Sequence, residues 1–419
     1  MRLSPIKTLS RFHPLPGLFL GLLLQAVEPA SREGGPFLLI EEGRLAELKS
    51  TAANPSDPNV PADVRAISQK ILKEAKKRVG QPVITITANK NLQASRDPHD
   101  YFSTARYYWP DPSKPDGQPY IRRDGETNPE HDEVSDEKML NELVKSTEYL
   151  ALAHFITGDG RYASEAVRLL RGFFLDEETR MNPNLNYSQS VPGGVQGRGS
   201  GVIDAREFMR LPDVLALVDS NAAWTEKDRK AMKAWWSEYA EWLQTSKIGL
   251  EERAAGNNHG AAYDVQLAAV LVMAGKPEEA RKVLGESLPA RLDAHITAEG
   301  KQPRELARTK SWSYSCFNLK NICKGGVMAQ ALGVQFWDHQ GPEGRGSLKK
   351  AMLFLVPFLK NPGNWPEKQI TKFEPKEARY WLNVGAVVYG DESIRQAQEE
   401  FAPMDKADIQ DWISTPTRK

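Results

Sequence analysis

From about residue 136 the chain is a run of segments with apolar residues at helical spacing, separated by short Gly, Pro and Asp turns. That pattern admits few folds, because each helix must bury a stripe against another and short turns make neighbours antiparallel. "DEKMLNELVKSTEYLALAHFITGD" ends on a Gly-Asp turn, and "RYASEAVRLLRGFFLD" follows at once. Next come "DAREFMRLPDVLALVDS" and "TEKDRKAMKAWWSEYAEWLQTS", which opens on Thr225 with an acid three residues later, a capping box. The series continues through "NHGAAYDVQLAAVLVMAGK", "PEEARKVLGESLPARLDAHITAEGK", "SWSYSCFNLKNICKGGVMAQALG", "SLKKAMLFLVPFLKN" and "KEARYWLNVGAVVYG". Strand-like alternation is scarce, with "QPVITITA" near residue 84 the best candidate. No fixed period marks a solenoid. The expected fold is therefore all-α: an α/α toroid, or incomplete α/α barrel, of paired antiparallel helices around a central cleft.

Charge narrows the partners. Acidic and basic residues number 55 each, so no global field draws in nucleic acid or an anionic membrane, and an anionic ligand must be met by local cations. The first thirty residues read as an export signal, with Lys7 and Arg11 ahead of the apolar "LPGLFLGLLLQAV". That run is too short to span a bilayer stably. The mature protein is expected to start near Ser31, in the periplasm or outside the cell, as one toroidal domain over 31–419 without membrane insertion. Cys316 and Cys323 stand seven apart in a helical segment, roughly 10 Å along the axis and beyond disulfide reach.

Two stretches break the helical order. Residues 101–129, "YFSTARYYWPDPSKPDGQPYIRRDGETNP", hold five prolines and the cluster Tyr107, Tyr108 and Trp109; residues 181–201, "MNPNLNYSQSVPGGVQGRGSG", are rich in Asn, Gly and Ser. Long loops inside a domain of short connections are usually functional.

The chemistry-bearing residues cluster in two further segments. In "NNHGAAYDVQ", a helix starting near Asn258 puts His259, Tyr263 and Gln266 on one polar-aromatic stripe, expected to face water or a ligand, while Ala262, Val265 and Ala269 pack inward. Glu251 and Glu252 lie just upstream. About fifty residues on, "QPRELARTKSWSYS" gathers Arg304, Glu305, Arg308, Lys310, Trp312 and Tyr314, with Ser311 as the expected cap of a helix holding Tyr314 in its first turn. No HExxH, Cys/His cluster, EF-hand, P-loop or Rossmann fingerprint is present, so neither a metal nor another cofactor has motif support.

At these residues the sequence resembles the alginate lyase family, whose catalytic domain is an α/α toroid and whose relatives include lyases of glucuronan. The resemblance is carried by "YYWPDPSKPDGQPYIRRDGETNP", "RMNPNLNYSQ", "TSKIGLEERAAGNNHGAAYDVQLAA" and "QPRELARTKSWSYSCFNL", together spanning roughly 100–330. It implies Asn258, His259, Arg308 and Tyr314 as the catalytic set and an anionic uronate polymer as substrate, cleaved by elimination without a metal. Elimination at a 4-linked uronate must remove the C5 proton, neutralise the neighbouring carboxylate and protonate the departing O4. Asn258 and Arg308 suit the second task, with a protonated Glu252 as a further helper; His259 and Tyr314 suit proton transfer. Arg308 is expected to lower the tyrosine pKa. Ala261 and Ala262 stand where family members often carry a polar or aromatic residue, which leaves the preferred sugar open.

Expected substrate-binding groups are Glu252, Tyr108, Trp109, Tyr187, Arg198 or Arg206, Tyr263 and Arg304. Two other classes fit the same residues: a glycoside hydrolase using two of Asp204, Glu252 and Asp264, and a glycan-binding helical protein that consumes nothing.

Overall fold

The helices form where their caps and periodicity put them. In the computed structural model, residues 37–53, 60–88, 95–404 and 408–417 are described. Helix Glu137–Thr157 stops at Gly158, whose φ of +70° is open to glycine at low cost, and Asp159 caps Gly160–Phe174 by accepting the Arg161 N–H. With so short a connection the two helices fold back and pack on each other. Thr225 and Asp228 form the expected capping box at the start of Glu226–Thr245. That helix packs on Asn258–Met273, which packs in turn on Ser311–Ala331. Further on, Arg379–Val388 pairs with Glu392–Phe401. The result is the all-α toroid expected.

Three local expectations fail. "QPVITITA" forms no strand; it ends in a short 3₁₀ turn, Ile86–Ala88, and the Thr85 hydroxyl donates to the Thr179 carbonyl. "DAREFMR" lies in a tight 3₁₀ run, Gly199–Arg210, before the α-helix Leu211–Val218. Asn258–Met273 shows no face to solvent. It is buried almost all round, so Tyr263 and Gln266 point into the core, where Tyr263 Oη donates to the Leu243 carbonyl (2.8 Å) and Gln266 Nε2 to Tyr239 Oη (2.9 Å). A helix enclosed by neighbours on every side loses the meaning of its polar stripe.

The two long loops are held by short β pairs. Phe102–Thr104 runs parallel to Tyr187–Ser190, tying one loop to the other, and Tyr108–Trp109 pairs antiparallel with Ile121–Arg122 within the first. Beneath them Phe174, Phe208, Trp235, Trp236 and Tyr239 pack edge to face or stacked, an arrangement that adds about 0.5–1.5 kcal/mol per pair beyond area burial.

The ends of the described chain meet. The buried Asp213 carboxylate accepts the N–H groups of Leu38, Leu39 and Ile40 at 2.6–2.8 Å, and Glu41 N–H donates to the Ile413 carbonyl at 2.9 Å. Residues 36–419 form one compact unit; the expected export segment lies outside the described residues. Both cysteines are free and buried. Among the described residues no helix is long and apolar enough to cross a membrane.

Candidate active site

A cavity of about 1300 Å³ opens between the paired loops and the N-terminal ends of Asn258–Met273 and Ser311–Ala331. Two turns of chemistry set its floor. At the first, Asn257 is the helix cap, its Oδ1 accepting the His259 N–H, which leaves the two residues after it to face the cavity. His259 Nδ1 stands 2.7 Å from Glu252 Oε1, a carboxylate almost wholly buried. With Nδ1–H donating to Glu252, the neutral ring keeps Nε2 as an acceptor. Asn258 gives both its backbone N–H and its side-chain N–H to Glu305, at 2.7 and 2.6 Å. Gly260 explains itself sterically: a Cβ there would sit 2.0 Å from Arg291 Nη1 and 2.2 Å from the Ala255 carbonyl oxygen.

At the second, Lys310 precedes the helix and Ser311 is its first residue. Ser311 is not the expected cap; its hydroxyl donates to the Lys368 carbonyl instead. Tyr314 sits in the first turn and donates its hydroxyl to Tyr107 Oη at 2.9 Å. Arg308 lays its guanidinium 3.8 Å from the centre of the Tyr314 ring and gives Nε and Nη2 to Asp124 at 3.1 and 2.8 Å. Burial raises the Asp124 carboxyl, but Arg308 and Thr309 outweigh it and hold the group down at about 2. Arg308 acts on the Tyr314 pKa in the expected direction, but the net shift is upward. Burial and the Tyr107 hydroxyl push it well above the ordinary tyrosine range, and the Arg308 charge opposes them without prevailing. Tyr314 therefore rests protonated.

The wall formed by the loops is cationic and braced. Arg198 donates Nε to Ser200 Oγ (2.7 Å) and lies over the Tyr108 ring. Arg106 donates to Glu137 Oε2 at 2.6 Å, and His131 Nε2 is 3.0 Å from the same oxygen. Burial raises Glu137, yet His131, Arg106 and Arg206 bring it down to about 2. Asp204 accepts from Tyr101, Ser103 and Gln189, and burial pushes its pKa up.

Of the residues expected in the site, Asn258, His259, Arg308, Tyr314, Glu252, Tyr108, Arg198 and Arg206 line the cavity. Four do not. Tyr263 is in the core, as above. Trp109 is spent within its own loop, Nε1 donating to the Glu126 carbonyl while Arg123 covers the ring. Tyr187 lies on the strand paired with Phe102–Thr104, outside the cavity lining, and Arg304 is exposed outside the cavity. Of the carboxylates expected for a hydrolase, Asp204 and Glu252 line the cavity and Asp264 does not. Asp264 is locked to Arg291 at 2.6 Å away from the cavity, and Glu252 is committed to His259.

Sequence reading missed Asp124 and Glu305 as the anchors of Arg308 and Asn258, and Tyr107 as the partner of Tyr314. Asp124 lies 184 residues from Arg308, so no local periodicity could pair them. Among the described residues no three His, Cys, Asp or Glu side chains converge as a metal site.

The helical toroid and its cleft are those of a polysaccharide lyase. The alginate lyase family model matches residues 85–365. The chain belongs to that family. Among solved structures it is similar to an alginate lyase from Bacteroides ovatus, at 35% identity over 91% of this chain and 99% of that one, with a TM-score of 0.83. It also shares its fold with alginate lyase A1-III from Sphingomonas species A1, at 15% identity, 85% and 91% coverage and a TM-score of 0.54; a variant of that enzyme is complexed with a tetrasaccharide. No curated protein matches the sequence.

Proposed function

We propose that this lyase is exported and cleaves 4-linked uronate polymers, alginate foremost, by metal-independent β-elimination. The observation that carries the reading is the junction of two half-sites in one cavity: His259 backed by Glu252 on one side, Tyr314 joined to Tyr107 and Arg308 on the other. Tyr314 carries a proton that can go to the departing O4, and His259 Nε2, with Nδ1 turned to Glu252, can accept the C5 proton. Asn258 and Arg308, which both line the cavity, suit the task of drawing charge from the sugar carboxylate as the dianionic intermediate forms.

The sugar decides the division of labour. In guluronate the C5 proton and O4 lie on opposite faces, which suits His259 as base and Tyr314 as acid. In mannuronate or glucuronate they lie on one face, which suits Tyr314 at both ends, taking the C5 proton as a phenolate beside the Arg308 charge and returning it to O4. The experiment is ultraviolet absorbance of unsaturated product from polymannuronate, polyguluronate and glucuronan, with Tyr314→Phe and His259→Ala alongside. Product that disappears in Tyr314→Phe supports elimination; reducing ends without that absorbance would replace it with hydrolysis. Export is supported by the basic start and apolar run at residues 7–27, and an N-terminus near Ser31 on the mature protein would test it.

A further inference from the structure

We propose that Glu305 is a positioning residue for this chemistry: it fixes which way the Asn258 amide faces the cleft. The proposal rests on the reading of Asn258 as a group that meets the sugar carboxylate. Glu305 is 1% exposed and outside the cavity lining, so it meets no substrate. Both of its oxygens go to one residue. Oε1 accepts the Asn258 backbone N–H at 2.7 Å and Oε2 accepts the side-chain N–H at 2.6 Å. Burial pushes the Glu305 carboxyl up while the two Asn258 N–H groups and the Arg308 charge favour its ionised form; with both oxygens accepting, the amide nitrogen must face them, and the amide cannot turn over without losing a bond. One N–H and Oδ1 are then the atoms Asn258 can offer a ligand, in one orientation.

The position of Glu305 in the chain gives the arrangement a second consequence. It sits on the short turn Pro303–Leu306, three residues before Arg308, which stacks on Tyr314. Glu305 thereby ties the Asn258 end of one helix to the turn that carries Arg308, in addition to the direct packing of Asn258–Met273 on Ser311–Ala331. Misplacement of a reacting group by about 1 Å can cost roughly 10²-fold in rate.

Glu305→Gln is the informative change because it keeps shape and bond count. Its Oε1 can still accept the Asn258 backbone N–H, but its Nε2 then confronts the Asn258 side chain, which must flip to present Oδ1. The experiment measures kcat and KM on the preferred uronate polymer for the full mature protein, Glu305→Gln, Asn258→Ala and the double variant, with thermal melts of each. The expected result is a kcat loss of about 10²-fold, in the range for a lost transition-state donor, with KM changed by less than about threefold and folding retained. In the Asn258→Ala background the same change should cost less than about twofold, since a residue acting only through Asn258 has nothing left to position. Equal losses in both backgrounds, or wild-type kcat in Glu305→Gln, would overturn the proposal. If Glu305→Gln does not fold, Glu305→Asp enters the same cycle with its charge kept and the same coupling to Asn258 required. A wild-type protein silent on every uronate polymer would remove the functional reading itself, and the proposal with it.

Discussion

Replacing Asp124 by Asn removes a charge that lies outside the cavity lining, yet its effects should be readable in both stability and rate. Asp124 is held at about 2 against an ordinary 3.8, a displacement worth about 2.5 kcal/mol at 1.36 kcal/mol per unit. Solvent reaches this partly open pair and screens it, so about 1–2 kcal/mol is the expected loss at neutral pH. The sign follows from the depressed pKa. The wild-type contribution is present above about 3.8 and is lost as pH falls toward about 2. The variant never has it, so the stability gap between the two proteins should be constant from pH 7 to about 5 and should narrow below about 4. Urea unfolding across that range measures the gap. The kinetic effect should be larger, because Arg308 loses the bidentate anchor that holds it over the Tyr314 ring; a fall of about 10- to 100-fold in kcat is expected. A gap that stays constant down to pH 3, or a variant with wild-type kcat, would refute the claim that Asp124 positions Arg308.

Other outcomes follow from the same geometry. Tyr314→Phe should lower kcat by about 10²- to 10⁴-fold while costing only about 0.5–1.5 kcal/mol of stability for the bond to Tyr107, a separation that product absorbance and thermal melting together would expose. His295 is buried with Nδ1 unpartnered, and burial beside Arg291 and Arg304 holds it down at about 4 from an ordinary 6.5. Its contribution, about 3 kcal/mol, is present above about 6.5 and lost as pH falls through about 4. His295→Leu should flatten that slope in pH-dependent unfolding. Gly260→Ala forces a Cβ onto Arg291 and the Ala255 carbonyl, and should destabilise by about 1–3 kcal/mol or more in denaturant titration. Arg198→Ala should raise KM about tenfold with kcat little changed; Arg304→Ala and Trp109→Ala, which do not line the cavity, should stay within about threefold of wild type.

Much of this protein was legible without coordinates wherever the information is local. Helical periodicity, the Gly158–Asp159 turn and the Thr225 capping box act within a few residues, so they announce the paired helices directly. The family motifs named Asn258, His259, Arg308 and Tyr314, all of which the fold brings to one cavity. Glu252 was legible too, seven residues before His259. What the tertiary structure alone decided is enclosure and long-range pairing. The His259, Tyr263 and Gln266 stripe is a correct reading of helix geometry, but neighbours on every side turned Tyr263 and Gln266 into core residues. Trp109 and Tyr187 have the right chemistry for a sugar face, but the loop fold ties Trp109 to Glu126 and sets Tyr187 outside the cavity lining. The tyrosine pKa was misjudged because one visible cation was set against an invisible burial. Asp124, Tyr107 and Glu305 became anchors only because loops and helices far apart in the chain close on one cavity, and no spacing along a sequence encodes which distant carboxylate an arginine will meet.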